Sequence, residues 1–178
     1  AEVEYEEEST HLWHIKYKIK GSEDYIIVAT TRPETMLGDT GVAVNPSDDR
    51  YKHLIGKKVI LPIMNKEIPI IGDEFVEKDF GTGCVKLTPC HDYNDYESAK
   101  RHNLEFVQVF DEHFKMGNLI PEYEGMDLLV AREKIVEKLK ELGALVKVED
   151  YTHNVGKCYR CHNTIEPKIS EQWFVKME

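Results

Sequence analysis

The sequence has no apolar run approaching the roughly 20 residues that a membrane-spanning helix requires. Its N-terminus lacks a basic, apolar leader and is acidic instead (AEVEYEEEST). Neither a membrane partner nor export is expected, so the expected location is cytoplasmic. Basic residues are scarce: 23 Lys and Arg against 33 Asp and Glu give a net charge of −10. Such a balance disfavours non-specific nucleic-acid binding, which rests on cationic contacts to phosphates, but it leaves room for a pocket that takes only the end of a strand. The 4 cysteines are too few and too unevenly placed for a secreted disulfide scaffold, and reduced thiols are expected. Internal repeats and low-complexity tracts are missing. There is no initiator Met, and the sequence stops inside an alternating pattern, SEQWFVKME, so a piece of a longer protein is expected.

What is present suits a folded domain. Hydrophobic residues make up 41% of 178 positions, enough for one sizeable core with or without a small appendage. The chain centres on Phe80 to Tyr96, FGTGCVKLTPCHDYNDY. Gly81 and Gly83 allow a tight turn or a close approach. Cys84 to Thr88 alternates as a strand, with Lys86 and Thr88 on one face, and Pro89 ends it. Asp92 then has the position of an N-cap for a helix through Arg101, with Asp95 one turn on. Aspartates in a first helical turn can simply favour the helix dipole. A second strand-to-helix junction, Thr30-Thr31-Arg32-Pro33-Glu34-Thr35, makes a shared cleft the alternative. Thr31 and Glu34 match a capping box, and free N–H groups at such a start can also hold an anion or an ester oxygen. Arg32, a cation in a first turn, calls for an anionic partner.

The rest reads as short strands with few helices. Residues 3–9 are an acidic, frayed or edge lead-in. His11–Ile19 alternates as a half-buried strand, and Tyr25–Thr30 returns as a buried one. Val42–Val44 is a strand, Lys58–Ile63 and Glu67–Ile71 form a hairpin, and Phe106–Phe110 is a further strand. Asp127–Leu142 is a helix with Leu128, Ile135, Leu139 and Leu142 as its apolar stripe and Gly143 just past its end. Ala144–Val148 is a strand. The expected fold is α+β, a β-barrel-like core of short strands with peripheral helices. Residues 1–152 would form that core and 153–178 an extended C-terminal segment.

Near the end, Cys158-Tyr159-Arg160-Cys161-His162 matches the c-type haem pattern, which is set aside because nothing suggests export. As C-x-x-C it is half of a zinc knuckle, whose tetrahedral site needs four ligands. His153 and His162, or residues beyond 178, would supply the rest; two free cysteines in a β-turn is the alternative.

ATTRPETMLGDTGVAVNPSDDRYKHLIGK, GTGCVKLTPCHDYNDYESAKRHNL and HNVGKCYRC…IEPKISEQWFVKM together resemble the editing domain inserted in the class I aminoacyl-tRNA synthetases of the valyl, isoleucyl and leucyl group. The TRPETMLGDT wording favours the valyl branch, since isoleucyl relatives carry a TTPWT-like segment and leucyl relatives TTRPDT. The ATP-binding signatures of the parent catalytic domain are missing. The resemblance implies hydrolysis of the threonyl ester on the terminal adenosine of tRNA(Val), with the rest of the synthetase as the other partner. The valyl enzymes are a standard illustration of why such a site exists: an apolar synthetic pocket cannot strongly reject a near-isostere that adds a hydroxyl. It places Arg32, Phe80, Lys86, Thr88, Asp92 and Asp95 around the ester, with Asp95 on the α-ammonium. Thr88 and Asp92 would read the hydroxyl and position water, and Lys86 and Arg32 would hold an oxyanion or phosphate. Thr30, Thr31, Thr35 and His91 would line the same cleft. No cofactor is implied for editing, and a structural zinc at Cys158 and Cys161 would be completed outside the chain.

Two other classes stay open. His91, Asp92, Asp95 and His102 offer a donor set for a metal-dependent phosphohydrolase. A non-catalytic zinc-knuckle binding module built on Cys158 and Cys161 would leave both polar junctions without a purpose.

Overall fold

The structure, a computed structural model, describes residues 3–158, with backbone alone at 3–9 and 153–158. Strand β1 (Val3–Ile19) and β2 (Tyr25–Thr30) form the expected antiparallel hairpin. In β1 the side chains of Trp13, Ile15, Tyr17 and Ile19 are buried on one face. Leu12 and His14 on the other face are buried as well, with His14 Nε2 lying 2.6 Å from Glu149 Oε1. Strand β2 is not buried throughout: Ile26 and Val28 point inward while Tyr25 is exposed.

The acidic lead-in is not frayed, and among the described residues it is paired on one side only, as an edge. It pairs along β7 (Leu145–Cys158), from Val3 opposite Cys158 to Trp13 opposite Val148, with an irregularity between His14 and Ile15. This pairing joins segments far apart in sequence, and charged residues line much of both strands, so alternation does not reveal it. Strand β7 is accordingly far longer than Ala144–Val148 and continues to Cys158.

Four further strands, β3 (Gly41–Val44), β4 (Lys58–Leu61), β5 (Lys66–Gly72) and β6 (Cys84–Leu87), complete a sheet of order β2-β1-β4-β5-β3-β6, with β7 beside β1. The β3–β5 pair is parallel and the others antiparallel. The sheet curls until its two ends, β2 and β6, approach each other, and the Thr82 hydroxyl donates to the Ile27 carbonyl near the seam. The result is a nearly closed mixed barrel with few helices, the α+β architecture expected. Val28, Val42, Val44, Val59, Leu61, Ile68 and Ile70 fill its interior. Burying each such side chain contributes about 1.5–3 kcal/mol.

Helix α1 (Tyr93–His102) follows β6, and helix α2 (Leu128–Glu141) packs Ala131, Ile135 and Leu139 onto the core. Leu142 does not continue that stripe; it is 53% exposed, because the helix ends before it and Gly143 turns the chain away at φ +71°. Phe106–Phe110 is not a strand either. Its alternation arises in an irregular strap whose Phe110 makes one isolated bridge to Met116, while Val109 is tied to His91.

Candidate functional site

The cleft lies at the seam where the β2–β6 ladder is not completed. β6 enters through a turn that requires glycine: Gly83 has φ +82°, and a Cβ there would lie 2.7 Å from Arg50 Nη2. Beyond the turn, β6 alternates as expected, and Lys86 and Thr88 face the cleft. Asp92 is the N-cap of α1: its backbone is extended and its Oδ1 accepts the Asp95 N–H at 3.1 Å.

Capping accounts for Asp92 but not for Asp95. The Asp95 carboxylate is 7% exposed, turns back onto the strand end, and accepts the Thr88 N–H at 2.9 Å. Burial, then the nearby Asp92 charge, pushes its carboxyl up to about 8, against the opposing pull of the Thr88 amide and Lys86. A carboxyl so poised takes a cationic partner readily.

Lys86 is buried and already surrounded. Its Nζ lies 2.9 Å from Thr35 Oγ1, 2.5 Å from Thr88 Oγ1 and 2.9 Å from Asp39 Oδ1. The Thr88 hydroxyl donates to Asp39 Oδ1 at 2.6 Å, and the Tyr17 hydroxyl donates to Asp39 Oδ2 at 2.5 Å. Burial pushes the Asp39 carboxyl up, while Lys86, Thr88 and Tyr17 pull it down. Burial also raises the Tyr17 phenol well above its usual range. Neither Asp39 nor Tyr17 was singled out in the sequence. Asp39 sits inside the TRPETMLGDT segment, which was the available signal; Tyr17 looked like any inward residue of a strand.

The first junction departs from expectation. Pro33–Gly38 is a 3-10 turn with no side-chain cap, so the Thr31–Glu34 capping box does not form. Glu34 is fully buried and forks onto Arg132 of α2, with Nε–Oε1 at 2.8 Å and Nη2–Oε2 at 2.9 Å. The long-range bidentate pair wins over the local cap because a buried carboxylate without a charge partner is far costlier than an uncapped turn. Thr30 Oγ1 accepts the Arg32 N–H, and Thr35 Oγ1 donates to the Arg32 carbonyl. The Arg32 guanidinium donates to the His91 carbonyl at 3.0 Å and lies 5.8 Å from the Phe110 ring centroid.

The cleft holds about 250 Å³ and is lined by every residue singled out for it: Thr30, Thr31, Arg32, Thr35, Phe80, Lys86, Thr88, His91, Asp92 and Asp95. Leu12, Ala29, Val85 and Tyr151 complete the wall, with Phe80 edge-on to Tyr151 at 6.2 Å. Phe80 is half exposed at the mouth, whereas Lys86, Thr88 and Asp95 are buried. Cys90 is buried, and burial pushes its thiol up to about 11; it does not line the cleft.

The donor set suggested for a metal does not converge. His102 Nε2 lies 3.2 Å from Asp73, which also takes Ser98 and Arg101, and His91 Nε2 accepts the Val109 N–H at 2.9 Å. Among the described residues no three His, Cys, Asp or Glu side chains are grouped to hold an ion. The Cys158 side chain and Cys161 lie outside the described residues.

A nearly closed mixed barrel with an acidic and hydroxyl-rich cleft at its seam defines a class, and comparison with known proteins names it. The family described as "Leucyl-tRNA synthetase, editing domain" matches residues 50–140, about half of the chain. The chain belongs to this editing-domain family. It is 56% identical over 177 residues to the valine–tRNA ligase of Helicobacter pylori, and 56% identical over 174 residues to that of Thermotoga maritima. These alignments cover 99% and 98% of this chain but 20% of each relative, so the chain spans about a fifth of their length. The crystal structure of the ternary complex of Agrobacterium radiobacter K84 agnB2 LeuRS, tRNA and LeuAMS superposes with a TM-score of 0.62 at 18% identity. It covers 92% of this chain and 24% of that one, and shows the same fold.

Proposed function

We propose that this domain proofreads tRNA(Val), hydrolysing the threonyl ester on its terminal adenosine within a valyl-tRNA synthetase. The observation that carries this reading is the convergence of both polar junctions on one cleft, hydroxyl-rich on one side and carboxylate-rich on the other. Asp95 takes the substrate α-ammonium in a charge-assisted contact. Thr88 and Lys86, with Asp92 at the rim, read the threonine hydroxyl. Asp39 already balances the Lys86 charge, which suits Lys86 to a hydroxyl or ester oxygen, and leaves Arg32 as the group for the strand's phosphate. Phe80 offers an exposed ring at the mouth for the terminal base.

Chemistry here needs no protein nucleophile. A water held beside the ester adds to its carbonyl carbon, the bond to the ribose oxygen breaks, and the proton lost by water ends on that oxygen. Threonine and an intact 3′ end are the products. A valyl ester lacks the hydroxyl and so forgoes the hydrogen bonds that a threonyl ester makes to this side of the cleft, each contributing about 0.5–1.5 kcal/mol net. The fold of the tRNA-bound leucyl enzyme supports a nucleic-acid partner, and the valine–tRNA ligase relatives support the valyl branch.

The test is deacylation of threonyl-tRNA(Val) and valyl-tRNA(Val) by the intact synthetase. Far faster release of threonine is expected, and equal rates on the two esters would overturn the valyl assignment.

A further inference from the structure

His91 lines the cleft, yet its ring nitrogen faces the protein. It is 1% exposed, and its Nε2 accepts the Val109 N–H at 2.9 Å. The imidazole lies 4.2 Å, centroid to centroid, from Phe110, and the Phe110 ring in turn underlies the Arg32 guanidinium at 5.8 Å. The His91 carbonyl accepts Arg32 Nη1 at 3.0 Å. One residue thus touches Arg32 twice, directly through its carbonyl and indirectly through Phe110.

The Val109 bond fixes more than a ring. Residues 104–109 form the strap that lies on the Pro33–Gly38 turn, and the fit is tight. A Cβ on Gly38 would sit 2.5 Å from Val109 Cγ2 and 3.0 Å from the Val107 carbonyl. The strap has no ladder over these residues, since its bridge begins only at Phe110. The Val109 N–H reaches His91, and the Val109 carbonyl accepts from Gly117. Irregular backbone without ladder bonds relies on side chains for its position.

We infer that His91 is a positioning residue: by holding Val109 and Phe110 it sets where the Arg32 guanidinium stands in the cleft. It touches no reacting atom. The inference rests on the editing reading only for its kinetic readout, because the hydrogen bond itself can be followed without substrate. An Nε2 that accepts an N–H carries no proton, so the neutral ring with its proton on Nδ1 is the form that works.

Side-chain length supplies the test. Glutamine places an amide oxygen near the position of Nε2, asparagine falls about one bond short, and leucine has no acceptor. In the intact synthetase, His91→Gln should keep hydrogen exchange of peptides covering 104–110 slow, whereas His91→Asn and His91→Leu should accelerate it. Deacylation of threonyl-tRNA(Val) should follow the same order. His91→Gln should stay within about threefold of wild type, and the other two should raise KM roughly tenfold with a smaller change in kcat. In an Arg32→Ala background the His91 substitutions should add little further loss, as expected when one residue acts through another. Fully additive losses, or exchange at 104–110 that is equal in all three variants, would overturn the inference. A wild-type enzyme that fails to release threonine would instead overturn the editing reading and leave the exchange result standing.

Discussion

Asp95 shows most directly how burial and a neighbouring charge alter the carboxyl of an ordinary helix-start residue. Its carboxyl is raised to about 8 in the folded chain, so the ionised form that an ammonium would meet is scarce below neutrality. Editing kcat/KM should therefore rise with pH towards about 8 and fall again as the substrate α-amino group, with an ordinary value of about 7.7–8.0, loses its proton. Asp95→Asn keeps an acceptor for the Thr88 N–H but removes the charge. Threonyl-tRNA(Val) deacylation should fall roughly ten- to hundredfold, with loss of the rising limb and with valine activation unchanged. The stability effect has the opposite sign. A folded value above the unfolded one stabilises at low pH, and that contribution is lost as pH rises from about 4 through about 8. The Asn variant should melt like wild type near pH 4 and higher than wild type at pH 9. A variant that melts lower at pH 9 while editing normally would mark Asp95 as a structural cap alone. Asp39 is the converse case. Asp39→Asn leaves Lys86 buried without its counter-charge, a loss of about 3–5 kcal/mol. Adding Lys86→Met should recover much of the melting temperature and none of the deacylation, since the pair is then removed together but the cleft loses its donor.

At the scale of elements, the junction Pro33–Gly38 is held from behind by α2. The Glu34–Arg132 fork joins a turn that carries cleft residues to a helix whose pattern looks purely structural. The sequence could show that Arg132 was on α2, but not that its partner lay almost a hundred positions earlier; local capping chemistry pointed Glu34 at Thr31 instead. The strap at 104–109 is the other element that alternation misassigned, because a period of two describes residues that point alternately inward and outward whether or not a neighbouring strand exists. The helix start at Asp92, the Lys86 and Thr88 face and the Gly83 turn were legible, because each is set by contacts within a few residues. Arg132→Lys tests the joint. Lysine keeps the charge but cannot present two parallel donors, so the melting temperature should fall and the loss should be larger than for a Lys-for-Arg change at exposed Arg101. Equal losses at the two positions would mean that the fork contributes no more than the half-exposed Arg101 does at Asp73.

For the whole molecule, the barrel seam reconciles so acidic a chain with the proposed action on the end of a nucleic acid. A net charge of −10 gives little attraction to a duplex, and the cleft of about 250 Å³ is far too small to take one. Affinity for tRNA and choice between esters should then reside in different places. On the proposed reading, affinity requires surfaces beyond these residues, whereas discrimination rests on Lys86, Thr88 and Asp92 within the cleft. The 178-residue chain by itself should therefore deacylate threonyl-tRNA(Val) with a much higher KM than the intact synthetase. Its preference for threonyl over valyl ester should nevertheless match that of the intact enzyme to within a few-fold. Single-turnover deacylation of both esters, over a range of enzyme concentrations and at two salt concentrations, measures the two properties separately. Raising salt should weaken binding by the intact enzyme more than binding by the domain if the added affinity comes from phosphate contacts. If the isolated domain bound as tightly but had lost its preference, the hydroxyl would be read outside the cleft, and the assignment of Thr88, Lys86 and Asp92 would fall with it.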